Sequence, residues 1–345
     1  MIKFIYIKFL TLILIIGCSH NVKKNPFLEK SQQELSERID KGSLAIVDSL
    51  QLLDQYGLLD VAGLNINEFA LFIGDYSNST ISVIDKETFE LIRRVEIQEG
   101  RGPGELLRIG AFDVNSNYLV VGNENERKIQ FWNMKGEFVS EFISEEFSPH
   151  RININSNNHA IILSTISATH LFNEINSSGE YVSGFGQINS SEYNPLMFSG
   201  STVTDDKDNY YYAGFSEHIL KKWDADGNLQ FSVSSIDNFP GEINYATFSG
   251  NDEQRVYRYS EHGYFSAIGS TIYKDYWLIL HGGVSGDEDQ IPLLDIYSTN
   301  NGKYLNSFSI PYRAGRGQIA ANDNYIFMLH DINDETYLVV YRNPL

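Results

Sequence analysis

The sequence predicts an all-β protein made of six repeated four-stranded units, and three observations lead to this fold class. Aromatic residues form 13% of the chain, with 21 Tyr and 21 Phe, and this richness suits strands better than helices. A turn rich in Asn and Asp, followed by an aromatic or apolar strand, recurs six times, at 65–69, 115–119, 155–160, 206–211, 273–277 and 321–326. The repeat length of roughly 40 to 50 residues is typical of propeller blades. We therefore predict a six-bladed β-propeller of four-stranded blades.

The strands follow in the same order within each unit. The recurrent turn precedes the second strand, a polar loop leads to the third, and a tight turn with Gly, Asn or Asp leads to the fourth. The sixth unit stops after its third strand, at Leu345. The run from Ser43 to Leu50 can supply the missing strand, and this closure removes an exposed sheet edge. Two β-sandwiches are the alternative, but they do not explain one strand order in six units.

The N-terminus is predicted to be an export signal, residues 1–17. Lys3 and Lys8 accompany an apolar run, 9–16, that is too short to span a bilayer. The signal ends in I-I-G-C at Cys18, the only cysteine. We predict that Cys18 is lipidated and becomes the mature N-terminus; an ordinary secretory signal with an incidental cysteine is the alternative. The predicted organisation is a lipidated Cys and tether over 18–42 and the propeller over 43–345.

Three features together resemble a known family: I-I-G-C, the six Asn/Asp turns, and G-R-G-P-G-E at 100–105. The chain resembles the six-bladed β-propeller lipoproteins of Gram-negative gut-type bacteria, often labelled TolB-like. The resemblance covers most of the mature chain. It implies the fold and a lipid-anchored, periplasm-facing place in the cell envelope, and it implies no particular chemistry.

The stretch Gly100–Gly110 (GRGPGELLRIG) lies in the first predicted blade-to-blade connection. Such connections share one face of a propeller with the loops between second and third strands, and here both sets are long and polar, as binding loops often are. A phosphate-binding loop is disfavoured, because G-K-[ST] and a following helix are missing and Pro103 lacks an N–H. We interpret the stretch as a structural corner whose charged residues remain to be explained.

Arginine and lysine are distributed differently along the chain, which has 12 Arg and 14 Lys. No Lys lies in the predicted blade-to-blade loops, whereas seven Arg do: Arg101, Arg108, Arg151, Arg255, Arg258, Arg313 and Arg316. The planar guanidinium matches carboxylate and phosphate groups, so these loops could form an anion-binding mouth. Alternatively, the arginines pair with acidic residues of the same loops. The predicted ligand-binding residues are Arg101, Glu105, Arg108, Arg151, His262 and Arg316.

Two adjacent units end the second strand in histidine, His281 and His330, where the other four have Gly or Ser. Histidines near carboxylates can bind metal or act as acid and base, although structural histidines fit the pattern as well. A polysaccharide lyase would use His281, His330 or Tyr264 as base, with arginine neutralising a uronate. A metal-dependent hydrolase or lactonase is disfavoured, because arginines precede the first strands.

The sequence favours a non-catalytic function without cofactor or metal. The expected protein is a lipid-anchored binding or scaffold propeller whose partner is an anionic saccharide, a peptide or an envelope protein. A net charge of −19 argues against nucleic acid, and the membrane is contacted through the lipid anchor only. The alternatives are a lyase or metal-dependent hydrolase on the propeller, and a docking subunit of an envelope complex.

Overall fold

The computed structural model describes residues 26–164, 169–188, 198–215, 217–237, 245–249, 255–259, 264–284, 292–312 and 318–345. Only the backbone is described for 245–249 and 255–259 and at Pro26, Ala62, Tyr264 and Val284.

The described part of the chain begins with a short 3₁₀ helix, Pro26–Leu28, before the regular elements. The first three are β1 (Asp40–Ser43), β2 (Ile46–Gln51) and helix α1 (Leu52–Tyr56). Blade 1 consists of β3 (Val61–Ile66), β4 (Ala70–Asp75), β5 (Thr80–Asp85) and β6 (Leu91–Glu96). Blade 2 consists of β7 (Ala111–Val114), β8 (Tyr118–Asn123), β9 (Lys128–Asn133) and β10 (Phe138–Ile143). Blade 3 consists of β11 (Pro149–Ile154), β12 (Ala160–Ser164), β13 (His170–Ile175) and β14 (Tyr181–Gln187).

Blade 4 consists of β15 (Gly200–Thr204), β16 (Tyr210–Gly214), β17 (Ile219–Trp223) and β18 (Leu229–Ser234). A two-stranded hairpin, β19 (Tyr245–Ser249) and β20 (Arg255–Tyr259), and the short strand β21 (Tyr264–Phe265) precede blade 5. Blade 5 is formed by β22 (Gly269–Tyr273), β23 (Tyr276–His281), β25 (Leu293–Ser298) and β26 (Tyr304–Ser309), while β24 (Gly283–Val284) pairs with β21. Blade 6 contains β27 (Ile319–Ala321), β28 (Tyr325–Ile332) and β29 (Glu335–Arg342).

The recurrent Asn/Asp turns connect the first and second strands of the blades. In blade 2, the Asn115 side-chain oxygen accepts hydrogen bonds from the N–H groups of Asn117 and Tyr118, at 2.8 and 2.9 Å. Its amide nitrogen donates to the carbonyl of Asn155 in blade 3, at 2.9 Å. Asn67 of blade 1 donates in the same way to the Asn115 carbonyl, at 3.1 Å. Each of these asparagines thus closes its own turn, as Asx turns do, and ties one blade to the next.

The core lies between neighbouring blades. The second and third strands are almost entirely buried, as in β4, whose six residues are all buried, whereas the outermost strands are largely exposed. Apolar clusters join consecutive blades; Phe72 of blade 1, for example, belongs to the same cluster as Phe112 and Trp132 of blade 2. The apolar residues of each blade are therefore buried only when the ring is assembled.

The ring closes through the N-terminal segment. The innermost strands contact one another in the order β3, β7, β11, β15, β22, β27 and back to β3. In blade 6, β2 pairs antiparallel with β29, from Ile46 opposite Tyr341 to Gln51 opposite Tyr337. The prediction of a six-bladed propeller, with its last blade completed from the N-terminus, is confirmed.

The segment before β2 also lies on the propeller. Phe27 packs into the cluster between blades 3 and 4, with its ring 4.8 Å from that of Phe198. Ser31 forms a parallel bridge with Val233, and β1 pairs parallel with β26. Residues 26–42, which the sequence assigns to the tether, therefore follow the outer edges of blades 4 and 5. Among the described residues, no helix has the length and apolar character needed to cross a membrane.

Candidate functional site

The central channel is narrow and polar. It contains a cavity of about 80 Å³ lined by the first strands and the residues just before them. The polar side chains in this lining are Asn65, Arg151, Asn153, Ser201, Thr202, Ser270 and Gln318. Since a small-molecule site typically has about 300 to 1,000 Å³, the cavity is too small for such a ligand. A ligand of the channel would have to bind at one of its two mouths.

Three residues lie close together near the mouth on the long-loop face: Tyr76, from the loop between the second and third strands of blade 1, and Arg108 and Arg151, from the predicted blade-to-blade connections. The Tyr76 hydroxyl donates to the carbonyl of Gly110 at 2.8 Å, and the Arg108 guanidinium lies 5.8 Å from the centre of the Tyr76 ring. Burial raises the pKa of Tyr76, and the charges of Arg151 and Arg108 oppose this shift. The two arginines therefore act on the same phenol and bring positive charge to one place.

Acidic groups lie close to this cluster. The charges of Asp60 and Glu124 both act on Tyr76, and His150 Nδ1 lies 3.6 Å from a Glu124 carboxylate oxygen. Arg101 and Arg108 are exposed, and within the described residues neither forms an ion pair. Arg151 is half-buried in the channel lining. For Arg101 and Arg108, pairing with an acidic residue of the described part of the chain does not account for the arginine.

The Gly100–Gly110 stretch is built as a tight corner. Glu105 accepts a hydrogen bond from the Gly102 N–H at 2.7 Å, and a Cβ at Gly100 would lie 2.2 Å from the Glu105 carboxylate. The buried Lys128 ammonium donates to the carbonyls of Arg101, Gly102 and Glu105, each at 3.1 Å. Glu105 and the glycines thus fold the loop onto a lysine, and the Glu105 carboxylate is directed into the loop.

The histidine of blade 5, His281, belongs to a buried charged cluster. Its Nδ1 lies 3.5 Å from Asp237 Oδ2, and its side chain is only 1% exposed. The donor atoms of Asp237, His281 and Asp295 lie within 4.8 Å of one another, a spacing that could hold a metal ion. However, the Arg38 guanidinium bonds to both carboxylates, at 2.9 and 3.0 Å for Asp295. Arg38 thus supplies the positive charge that a metal ion would bring.

The neighbourhood of this cluster contains a second histidine that sequence reasoning missed. Burial lowers the pKa of His218 to about 4, while the charge of Asp237 opposes the shift. Lys30, from the N-terminal segment, donates to the carbonyl of His218 at 2.8 Å. No local motif marks these contacts, because Arg38 and Lys30 lie far from their partners in the sequence.

The histidine of blade 6 has different partners. His330 is fully buried; its Nε2 lies 2.9 Å from the Tyr341 hydroxyl, and its ring packs edge-on against Tyr312. Tyr264, the third catalytic candidate, pairs with Val284 through its backbone. A base that attacks a saccharide must contact its substrate, so the burial of both histidines does not favour the lyase alternative.

Several predicted residues lie outside the described part of the chain. These are Cys18, His262, Arg313 and Arg316, while Arg255 and Arg258 are described by their backbone alone.

Comparisons with known proteins show the fold. No protein-family model matches the chain, and no curated protein does. Among solved structures, a candidate exported protein from Bacteroides fragilis matches with a TM-score of 0.55 and 12% identity, covering 91% of this chain and 99% of its own. A DUF4221 family member from Bacteroides vulgatus matches with a TM-score of 0.54 and 9% identity, covering 89% and 99%.

A eukaryotic structure is equally similar. The β-propeller domain of Cps50 (Swd1) from Myceliophteria thermophila matches with a TM-score of 0.52 and 11% identity, covering 87% of this chain and 99% of its own. Such distant matches across unrelated contexts carry information on architecture only. What they and the sheet topology establish is that the chain is a six-bladed β-propeller.

Proposed function

We propose that this protein is a non-catalytic binding protein of the bacterial cell envelope that holds an anionic ligand at the long-loop mouth of its channel. The observation that carries the proposal is the convergence of Arg108 and Arg151 on Tyr76 beside a polar channel. The chain as a whole has a net charge of −19, so the exposed Arg108, which forms no ion pair with any residue that the structure describes, is a local exception.

The mouth offers the chemistry that an anion requires. The exposed Arg108 presents a planar set of N–H donors, and Arg151 adds a second charge where the channel lining restricts water. The Tyr76 ring holds the Arg108 guanidinium in place, so less conformational freedom is lost on binding. A carboxylate or uronate group fits this arrangement.

The envelope location rests on the N-terminus. The apolar run followed by I-I-G-C at Cys18 predicts export and lipidation, and the similar Bacteroides fragilis structure is that of a candidate exported protein. In this proposal the propeller is lipid-anchored and faces the periplasm.

A thermal-shift experiment tests the binding proposal. The purified protein is heated with trigalacturonate, a short acidic peptide, inorganic phosphate or, as a neutral comparison, the same peptide with its carboxylates amidated. A ligand present at a hundred times its Kd should add about 2.7 kcal/mol to the free energy of unfolding. We expect at least one anion to raise the Tm.

The chain offers a matched control for the contribution of Arg108. Arg342 lies over the Tyr325 ring at the same distance, 5.8 Å, but it ends a third strand and so lies on the opposite face. Arg108→Ala and Arg151→Gln should abolish the shift, and Arg342→Ala should retain it. A flat panel, or a shift that survives in both mouth variants, contradicts the proposal.

A further inference from the structure

A second cleft, larger than the channel cavity, lies at the rim of blade 1. It has a volume of about 620 Å³, within the typical range of about 300 to 1,000 Å³ for small-molecule sites. One wall is formed by the end of α1 and the loop after it, and the other by the edge of blade 1. The lining residues are Gly57, Leu58, Asn78, Thr80, Arg94, Glu96, Ile97 and Gln98.

The register of blade 1 places polar side chains together in this cleft. Arg94, Glu96 and Gln98 alternate along the outermost strand and its extension, so they lie on the same side of the sheet. Thr80 on β5 pairs directly with Glu96. The side chains of Leu58 and Ile97 are buried in two core clusters behind the cleft.

The walls of the cleft are held in position by backbone contacts. Arg94 donates a hydrogen bond to the Tyr56 carbonyl at the end of α1. Gly57 follows with a left-handed backbone, and a Cβ there would point to the Arg94 guanidinium at 3.7 Å. On the other side, the Leu106 N–H donates to the Gln98 carbonyl at 3.0 Å, so the Gly100–Gly110 corner fixes the Gln98 position.

The polar groups of the cleft retain capacity for a ligand. Within the described part of the chain, no hydrogen bond engages the Thr80 hydroxyl, the Glu96 carboxylate or the Gln98 side-chain amide. The cleft has one guanidinium and one carboxylate, so its charges cancel. An anion gains little here, because Glu96 opposes it.

We propose that this cleft binds a neutral polyhydroxyl ligand, a short saccharide. Sugar hydroxyls donate and accept hydrogen bonds at once: the Glu96 carboxylate can accept from two neighbouring hydroxyls, while Arg94 and Gln98 donate to ring and hydroxyl oxygens. The site is separate from the anion mouth and does not depend on the function proposed there.

Titration calorimetry and saturation-transfer NMR with maltotriose, cellotriose and chitotriose test this inference. We expect at least one of the three to bind, and Glu96→Ala to weaken that binding about tenfold or more, through lost charged hydrogen bonds. Glu99→Ala is the matched control: Glu99 is equally exposed but does not line the cleft, and its loss should change the Kd less than about twofold.

Two results overturn the inference. One is that none of the three saccharides binds at about 10 mM, a concentration that would reveal even millimolar affinity. The other is that a saccharide binds equally well to Glu96→Ala, or loses its binding in Arg151→Gln, which would place it in the channel mouth. Thermal melts of the variants confirm folding, and since Glu96 is exposed, we expect them to match the parent protein.

Discussion

The two faces of the propeller use polar side chains differently. On the face of the recurrent turns, asparagine amides are engaged on both sides: Asn115 accepts from its own turn and donates to blade 3. On the long-loop face, Arg108 stacks on Tyr76 and otherwise projects into solvent. Asn115 thus uses its amide to close a turn and join two blades, whereas the Arg108 guanidinium keeps donors available for a ligand.

The Gly100–Gly110 corner is an exception on the long-loop face. There Lys128 is buried and three carbonyls surround its ammonium. This corner supports both proposed sites, because it joins Gln98 of the cleft to Arg108 of the mouth. The long-loop face thus contains one rigid element, the Gly100–Gly110 corner, and both proposed sites are built against it.

The largest expected effect breaks this corner. Lys128→Met removes the buried ammonium that donates to three carbonyls and lies 3.8 Å from the Glu141 carboxylate, so we expect a loss of about 3 kcal/mol in the free energy of unfolding. Lys135→Met, at an exposed turn of the same blade, should lose less than about 0.5 kcal/mol. Urea denaturation measures both. Equal losses would show that the corner is not held by Lys128.

A smaller effect is expected on the turn face. Asn115→Ala removes two acceptor bonds and the link to blade 3, and we expect a loss of about 2 kcal/mol. The comparison is Asn125→Ala in the exposed second-to-third-strand loop of the same blade, for which we expect less than about 0.5 kcal/mol. If both losses were alike, the division between the faces would be wrong.

The innermost strand of blade 2, β7, provides a pH-dependent test. Desolvation raises the pKa of Asp113 to about 7, although the Ile154 N–H donates to its carboxylate at 2.9 Å. An unfolded Asp titrates near about 3.9, so between these pH values the folded state binds more protons and stability falls as the pH rises. Asp113→Asn carries no such group.

The stability of Asp113→Asn relative to the parent protein should therefore increase from about pH 4 to about pH 7 and stay constant above. Thermal unfolding of both proteins across this range measures the difference. A difference that does not change with pH would show that Asp113 is not desolvated.

The smallest effect on stability is expected for the two arginine–tyrosine pairs. Arg108→Ala and Arg342→Ala each remove a partly exposed cation–π contact of 5.8 Å, so each should lose less than about 1 kcal/mol. Chemical denaturation should give similar losses in the free energy of unfolding for the two variants. A difference between them in ligand binding would then come from the mouth and not from stability. A much larger loss for Arg108 would indicate a structural role.

Much of the fold is predictable because its signals are local. The Asn/Asp turns recur since each asparagine bonds to N–H groups two or three residues on, and such contacts leave a motif in the sequence. Ring closure through 43–50 follows from a missing strand in the last repeat. Part of the mouth was also predictable, because Arg108 and Arg151 lie at or near the start of first strands.

Long-range contacts were not predictable from the sequence. Arg38 donates a hydrogen bond to Asp295, 257 residues away, and Lys30 donates one to the carbonyl of His218. Nothing in the polar stretch before the first blade indicates either partner. The buried position of Lys128 was not predicted either, because a lysine in a strand is normally expected to be exposed to solvent. The cleft at Glu96 depends on the approach of α1, which no local pattern encodes.

The path of the N-terminal segment has a kinetic consequence. Blade 6 is complete only when β2 meets β29, so the first and last parts of the chain must find each other before the ring can close. Contacts of such high sequence separation slow folding, because the chain entropy is lost before the contacts form. The early strand has to wait until the last one has been synthesised. The open ring, with the edge of β29 unpaired, is then the species most exposed to wrong strand pairing.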